Sequence, residues 1–366
     1  MADPYIDSEI EESVIRILRS KKMVSGETVN QFEEELSKYI GVKHVVAVSS
    51  GTAALHVAFT AFNVVGKDVL TSAFSFAASA NSVLLAGGKP VFADIELDTY
   101  NLDPSSVEER LTDECIAIEP VHLYGQTADM SRLIRVASKN NVVLIEDAAQ
   151  AIGARHGSKM AGSLGLMGCF STYATKNLHT MEGGFVATDD DFLAQKLRLL
   201  INHGQASRYN HVDIGYNYRM MEVQAAIGLP QMKKLESIIQ KRRRNAKILT
   251  EGLQDLRGIV TPFEKDWGRH VYHQYTLRIE PRVIGITREK FAQSLLKRGI
   301  ESSVHYPTPI YLQPYYIERF KYRKGLCPNS ELAAETVLSI PVHQSLTDEQ
   351  LGRIVGSIRE IVRSRA

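Results

Sequence analysis

The chain is poor in the residues that fasten small or secreted folds. It has three cysteines, Cys115, Cys169 and Cys327, odd in number and far apart, with no CxxC pair. That argues against a disulfide framework or a zinc site and for a reducing compartment. No run of about 18 apolar residues is present, so no membrane span is expected. The opening residues, MADPYIDSEIEES, are acidic and lack the apolar stretch of a secretory signal, so the expected location is the cytoplasm. An excess of one charge is also missing: 43 Lys and Arg stand against 42 Asp and Glu, a formal net charge of +1. Such a balance speaks against a dedicated nucleic-acid binder or a polybasic membrane-surface protein. Neither a GxxxxGK[ST] nor a GxGxxG motif occurs, which removes the Walker loop and the dinucleotide fingerprint. There is no internal repeat and no low-complexity tract. What remains is an ordinary globular composition, 44% hydrophobic and 23% charged over 366 residues, long enough for two domains.

Residues 8–18 carry Ile10, Val14, Ile17 and Leu18 at helical spacing, and Phe32, Leu36, Tyr39 and Ile40 repeat the pattern. The rhythm then changes. His44–Ser49 is a short apolar run ending in Ser-Ser-Gly, followed by helical spacing over Thr52–Phe62. Further apolar runs at 68–71, 90–95, 115–121 and 141–145 alternate with helical patterns near 76–86, 104–111 and 129–139. This alternation predicts βαβ units and a mostly parallel sheet with helices on both faces, which explains strands without polar alternation. Helices are expected at 190–201, 220–228 and 231–253, the last with its KRRR run at 241–244 on a solvated face. A smaller α/β region is expected from 254 to 366, after a large domain of 1–253. It contains a strand at 272–279, a helix at 288–298, a Pro/Tyr-rich loop at 306–316 and a final helix. Thr347 and Gln350 form a capping-box pattern at the start of that helix.

Three segments could carry chemistry. Ser49–Ala54 (SSGTAA) joins a strand to a helix, where free N–H groups, hydroxyls and a glycine suit a phosphate; taken alone, a plain βα turn with a hydroxyl cap is the commoner reading. Ile145–Gln150 (IEDAAQ) puts acidic residues at the carboxyl end of a strand, where parallel sheets bind ligands. An Asp there could hold a ring nitrogen protonated, or simply cap a helix. Phe170–Asn177 (FSTYATKN) ends a strand-like run in a lysine. Burial would depress its pKa and free the amine for a carbonyl, whereas a surface loop would leave it inert. Together the three segments propose a phosphate cradle, a ring-nitrogen carboxylate and a carbonyl-reactive lysine, the equipment for pyridoxal phosphate.

At this point the sequence resembles the sugar aminotransferases of the DegT/DnrJ/EryC1/StrS family. The matching motifs are SSGTAALH at 49–56, FSFAASAN at 74–81, HLYGQTADM at 122–130 and EDAAQAIGA at 146–154. FSTYATKNLHTMEGG at 170–184, GYNYRMMEVQAAIGLPQ at 215–231 and HYPTPIYLQPYY at 305–316 extend them over nearly the whole chain. The resemblance implies the pyridoxal-phosphate-dependent, aspartate-aminotransferase-like α/β fold. It implies Lys176 as the Schiff-base lysine and proton shuttle, Asp147 on the pyridine nitrogen and Gln150 near the ring hydroxyl. Gly51, Thr52 and Ser171 would hold the phosphate and Phe76 would lie on the ring face. Asn217 would serve the partner subunit's cofactor in a homodimer with composite sites. Arg219, His305, Tyr306 and Tyr311 would lie toward substrate, a keto sugar on a nucleotide aminated at C3 or C4, with glutamate as donor. No metal is implied.

His122, His179 and His203 are read as structural. Tyr306, Tyr311, Tyr315 and Tyr316 could form a core cluster or a sugar-binding surface. Two departures stand out: Tyr311 replaces a histidine frequent in the family, and Thr127 a proline. Two alternatives remain at this level: a dehydratase of the same family, which would carry a histidine in place of Lys176, and a non-catalytic regulatory member.

Overall fold

A computed structural model describes residues 3–364. Seven strands build the central sheet: β1 (His44–Val48), β2 (Asp68–Ser72), β3 (Lys89–Ala93), β4 (Cys115–Glu119), β5 (Val143–Asp147), β6 (Met167–Ser171) and β7 (Gly184–Thr188). Their order is β1-β7-β6-β5-β4-β2-β3. Strands β3, β2, β4, β5 and β6 pair in parallel. Strand β7 runs antiparallel to both of its neighbours. Strand β7 is absent from the expectations drawn from the sequence; it opens on Gly184, and a glycine pair weakens a strand pattern.

Both faces of the sheet are covered, which accounts for the unbroken apolar runs. On one face Val45, Ala47, Phe170 and Phe185 pack with Phe32 and Leu36 of helix α2 (Glu27–Ile40), which follows α1 (Ser8–Ser20). On the other, Val46, Val48, Cys169 and Val186 pack with Ala54, Leu55 and Phe59 of α3 (Gly51–Phe62). Helices α4 (Ala78–Leu85), α5 (Pro104–Arg110), α6 (Met130–Lys139) and α7 (Asp191–Leu200) complete the layers. Side-chain caps start many of them: Ser50 for α3, Asp103 for α5, Asp129 for α6 and Asp190 for α7. No helix among the described residues is long and apolar enough to cross a membrane.

The expected helix over 231–253 is displaced. Helix α8 (Glu222–Met232) ends before Lys233 and Lys234, and α9 (Leu235–Leu253) begins after them. The KRRR run is not uniformly solvated. Arg242 falls on the helical stripe shared by Ile238, Ile239, Ala246 and Leu249, and it is buried with them. Beyond α9, strands β8 (Ile259–Val260), β9 (Tyr275–Ile279) and β10 (Val337–Ile340) form a small antiparallel sheet. It packs with the far end of α9, with α10 (Arg288–Leu296) and with α12 (Asp348–Arg363), which follows α11 (Pro328–Thr336). Thr347 and Gln350 cap α12 reciprocally, as their spacing suggests.

The division at residue 254 is therefore only part of the arrangement. Gly268–Arg269 pairs with Arg155–His156, and Tyr311, Tyr316 and Cys327 pack on Ala73 and Phe92 of the large sheet. The smaller region is thus clasped onto the carboxyl edge of the large one.

Helix α2 illustrates how distant segments complete local structure. Its N-cap is Gly26, which has no side chain to accept from the first turn. Glu222 of α8 does so instead, with Oε2 accepting from Thr28 N (3.1 Å) and Oε1 from Val29 N (3.0 Å). Glu222→Ala is expected to cost about 1–3 kcal/mol, since it strands two amides at a helix start. Urea unfolding of the variant measures this. A change below about 0.5 kcal/mol would mean that water replaces the carboxylate.

Candidate active site

The carboxyl ends of β5 and β6 and the loop after β1 converge at one edge of the sheet. Asp147 closes β5 and is 5% exposed. Its Oδ2 accepts from the Ser79 hydroxyl (2.8 Å) and its Oδ1 from Ala149 N (3.1 Å). Ser79 lies in the first turn of α4 and is itself tied to Ser75 Oγ (2.9 Å). Burial raises the pKa of Asp147, while the hydrogen bonds from Ser79 and Ala149 and the charge of Lys176 oppose the rise.

Lys176 follows β6 in a tight turn, its N–H donating to Tyr173 O (2.9 Å). Burial lowers its pKa to about 8, with Asp147 pulling the other way. The two groups feel each other's charge, and the lysine retains a neutral fraction near physiological pH that a solvated lysine lacks.

The segment after β1 forms an anion cradle. Ser50 caps α3 by accepting from Ala53 N (3.1 Å), which leaves the helix start free at Gly51 and Thr52. Gly51 touches the end of β6. A Cβ placed on it would lie 2.7 Å from Ser171 Cβ, so only glycine lets α3 approach that closely. Thus Gly51, Thr52 and Ser171, separated in sequence, share one pocket edge at a helix N-terminus.

Gln150 accepts from Tyr124 N at Oε1 (2.9 Å) and donates from Nε2 to the Tyr306 hydroxyl (3.1 Å). Phe76, just before α4, is 59% exposed, with its ring 6.1 Å from that of Tyr306. An exposed aromatic beside a buried Asp–Lys pair is a platform for a flat ring. These features fit pyridoxal phosphate: an acceptor for a ring nitrogen, a reactive amine, a ring platform and a dianion cradle.

The remaining expected residues are placed less uniformly. Asn217 is exposed, on a segment running beside β1, where Ser49 N donates to Tyr218 O (2.8 Å). Arg219 donates to the Asn202 side chain. The His305 carbonyl accepts from the Tyr124 hydroxyl, and its Nδ1 has no partner. Tyr311 does not suit a substrate contact. Its side chain is fully buried in the aromatic cluster on Phe92, and its hydroxyl is held by Glu331 and Cys327 N. Tyr316 is buried in the same cluster.

The structural reading of His122 holds. It and Glu146 are both fully buried and bonded (2.8 Å), and Glu146 also accepts from Gly162, Leu164 and Gly165 N. Because Ala128 N donates to His122 Nδ1, the ring proton sits on Nε2 and points at Glu146. The adjacent acidic pair thus divides its work. Glu146 anchors a loop on one face of the sheet and Asp147 faces the site on the other. Ser75 and Ser79, missed in the sequence, would be visible there only as small hydroxyls at the start of a helix.

Residues 4–359 match the DegT/DnrJ/EryC1/StrS aminotransferase family. The UDP-2-acetamido-2-deoxy-3-oxo-D-glucuronate aminotransferase of Pseudomonas aeruginosa is 37% identical, over 93% of this chain and 92% of its own length. GDP-perosamine synthase of Caulobacter vibrioides is 35% identical, over 99% and 98%. Among solved structures, S. venezuelae DesV in complex with a ketimine intermediate superposes with a TM-score of 0.93 at 34% identity, covering 97% of this chain and 94% of that one.

One buried acid has no assigned part. Glu119 ends β4 on the same sheet face as Asp147 and is fully buried, and among the described residues neither carboxyl oxygen is within hydrogen-bond geometry of a partner, the Thr71 hydroxyl being the polar group that acts on it. Burial, then the charge of Asp147, pushes its pKa well above the usual carboxyl range. An acid whose folded pKa is raised destabilises the fold progressively as pH climbs from the unfolded value toward the folded one. The penalty grows by up to about 1.4 kcal/mol per pH unit. Glu119→Gln cannot ionise, so its melting temperature is expected to gain on wild type between about pH 5 and pH 8. A gap that stays constant with pH would show that Glu119 is not held neutral.

Proposed function

The chain belongs to the DegT/DnrJ/EryC1/StrS aminotransferase family, and from that premise we propose that it uses pyridoxal phosphate to move an amino group from glutamate to a keto sugar carried on a nucleotide. The observation that carries this reading is the pairing, at the ends of β5 and β6, of buried Asp147 with a lysine whose pKa is brought down to about 8.

The cofactor, when bound, supplies an electron-accepting ring and a carbon that can take and release an amino group. The residues of the chain do the rest. Asp147, fixed by Ser79 and Ala149, would offer a carboxylate oxygen to the ring N–H and keep that proton in place. Lys176 Nζ, with its lowered pKa, would be the group that takes up a proton from the donor carbon and returns one. Gln150 would lie toward the ring hydroxyl and Phe76 toward one ring face, and Gly51, Thr52 and Ser171 would hold the phosphate. Tyr306, anchored on Gln150, borders the substrate side with His305 and Arg219.

A keto sugar on a nucleotide is supported by the names of the relatives, which include 3-oxo-glucuronate and perosamine enzymes. The test is a panel of keto-sugar nucleotides with glutamate and purified, cofactor-loaded protein. One 2-oxoglutarate per aminated sugar is expected, and no turnover across 3-keto and 4-keto members would contradict the reading. Lys176→Ala is expected to lower turnover by at least about a thousandfold while the fold persists. Activity within about tenfold of wild type, a barrier change of only ~1.4 kcal/mol, would move the amine chemistry elsewhere.

The proposed assembly is a two-fold dimer in which Asn217 reaches the phosphate of the other subunit's site. Its exposure and the exposed Val212 and Ile214 nearby support this. Mixing Lys176→Ala with Asn217→Ala subunits then gives heterodimers with one doubly defective site and one intact site. About half the wild-type activity should return per heterodimer. If subunits exchange and no activity returns, Asn217 acts within its own chain.

A further inference from the structure

Beside Lys176 lies a second cavity, of about 190 Å³, that the cofactor-binding residues do not form. Thr175, Arg242, His273, Gln274, Ser303 and His305 line it, from the lysine turn, α9, the start of β9 and the loop after α10. Its charge is one-sided. Arg242 is 4% exposed. Its Nη1 donates to the carbonyls of Tyr272 (3.2 Å) and His273 (3.3 Å), and its Nε has no partner among the described residues. Among the described residues, no carboxylate lies within ion-pair distance of it. Burial lowers its pKa only to about 10, so it stays cationic at neutral pH. His273 is 8% exposed, and among the described residues its Nδ1 has no partner either. Burial, then the charges of Lys176 and Arg242, hold that imidazole neutral, and His305 is lowered by burial and by Lys176. Gln274 accepts from Ser339 Oγ at Oε1 (3.2 Å), which leaves its amide N–H groups to donate.

A buried cation without a counter-ion costs several kcal/mol unless an anion completes it. Here the anion has donors waiting: an unused guanidinium N–H, neutral imidazoles, two hydroxyls and an amide. Position then selects among anions. The cofactor phosphate has its own cradle at the start of α3. The diphosphate of a nucleotide sugar is several bonds from the carbon that reacts, so it does not sit next to the reactive lysine. An amino acid differs, because its carboxylate is one carbon from the nitrogen that is transferred. A carboxylate bound beside Thr175 and Lys176 places that nitrogen where Lys176 Nζ acts.

We infer that this cavity binds the carboxylate of the amino-acid donor, with Arg242 as its counter-charge and His273 and His305 as neutral hydrogen-bonding partners. The inference rests on the aminotransferase reading and adds to it the place where the donor is held. It also gives a reason for a buried arginine in a run that reads as surface.

The test uses cofactor-loaded protein and two readouts. Calorimetry with maleate, a dicarboxylate that cannot react, is expected to show one site per chain. Affinity should fall at least tenfold in Arg242→Lys and in His273→Asn, and inorganic phosphate should not compete. In parallel, glutamate converts the cofactor's visible absorption from the aldehyde to the amine form. Half-saturation should rise at least tenfold in both variants, with a much smaller change in the maximal rate. Cofactor content and melting curves confirm that each variant is folded. Should Arg242→Lys fail to fold, His273→Asn and Ser303→Ala carry the comparison. Equal maleate affinity in wild type and folded variants, or binding of phosphate in preference to maleate, overturns the carboxylate site. If no amino acid converts the wild-type cofactor, the aminotransferase reading itself falls. Conversion with unchanged half-saturation in the variants sinks this site alone.

Discussion

Everything at this site depends on holding one carboxylate, Asp147, out of water at the end of β5 without neutralising it. Burial pushes the group toward its protonated form, and three features resist: the Ser79 hydroxyl, the Ala149 amide and the positive charge of Lys176. The same arrangement acts in reverse on Lys176, where burial disfavours the ammonium and Asp147 favours it. Neither residue alone has the required property. Each is poised because the sheet register and the turn after β6 place both in one desolvated corner.

The sheet supplies that corner at little cost in complexity. Parallel strands end together, so Asp147 and Ser171 emerge on the same edge, and the antiparallel β1–β7 pair next to β6 brings Ser50 and Gly51 alongside. Contacts behind the edge keep it rigid. Glu146, adjacent to Asp147 in sequence and opposite in facing, gathers three backbone amides and His122 beneath the strand. The small region closes over the edge through Tyr306 on Gln150 and Tyr124 on His305. That closure also forms the cavity around Arg242.

The parts of this arrangement that were legible in the sequence are those encoded by local pattern. Strand-then-turn rhythm placed β1 to β5 and most of the helices, and it put Asp147 and Lys176 at strand ends where their chemistry could be named. What was not legible depends on contacts between distant segments. Ser79 matters only because α4 begins against β5, and Glu119 only because its neighbours on the sheet face leave it unpartnered. Arg242 looked solvated as one of four basic residues in a row, whereas the helical stripe it shares with Ile239 and Ala246 carries it inward. Tyr311 looked like a substrate contact because it lies in a Pro/Tyr loop, yet the fold turns it onto Phe92 and Glu331. Strand β7 was hidden by its own glycines.

The central claim is that Asp147 and Lys176 form one electrostatic unit in which burial frees the lysine amine. The most direct measurement is the titration of Lys176 itself in cofactor-free protein, by NMR of isotopically labelled lysine side chains assigned with Lys176→Arg. The account places its pKa at about 8, and lower still in Asp147→Asn, where the favourable charge is removed while burial remains. A value near the ordinary 10.5, unmoved by Asp147→Asn, would contradict it.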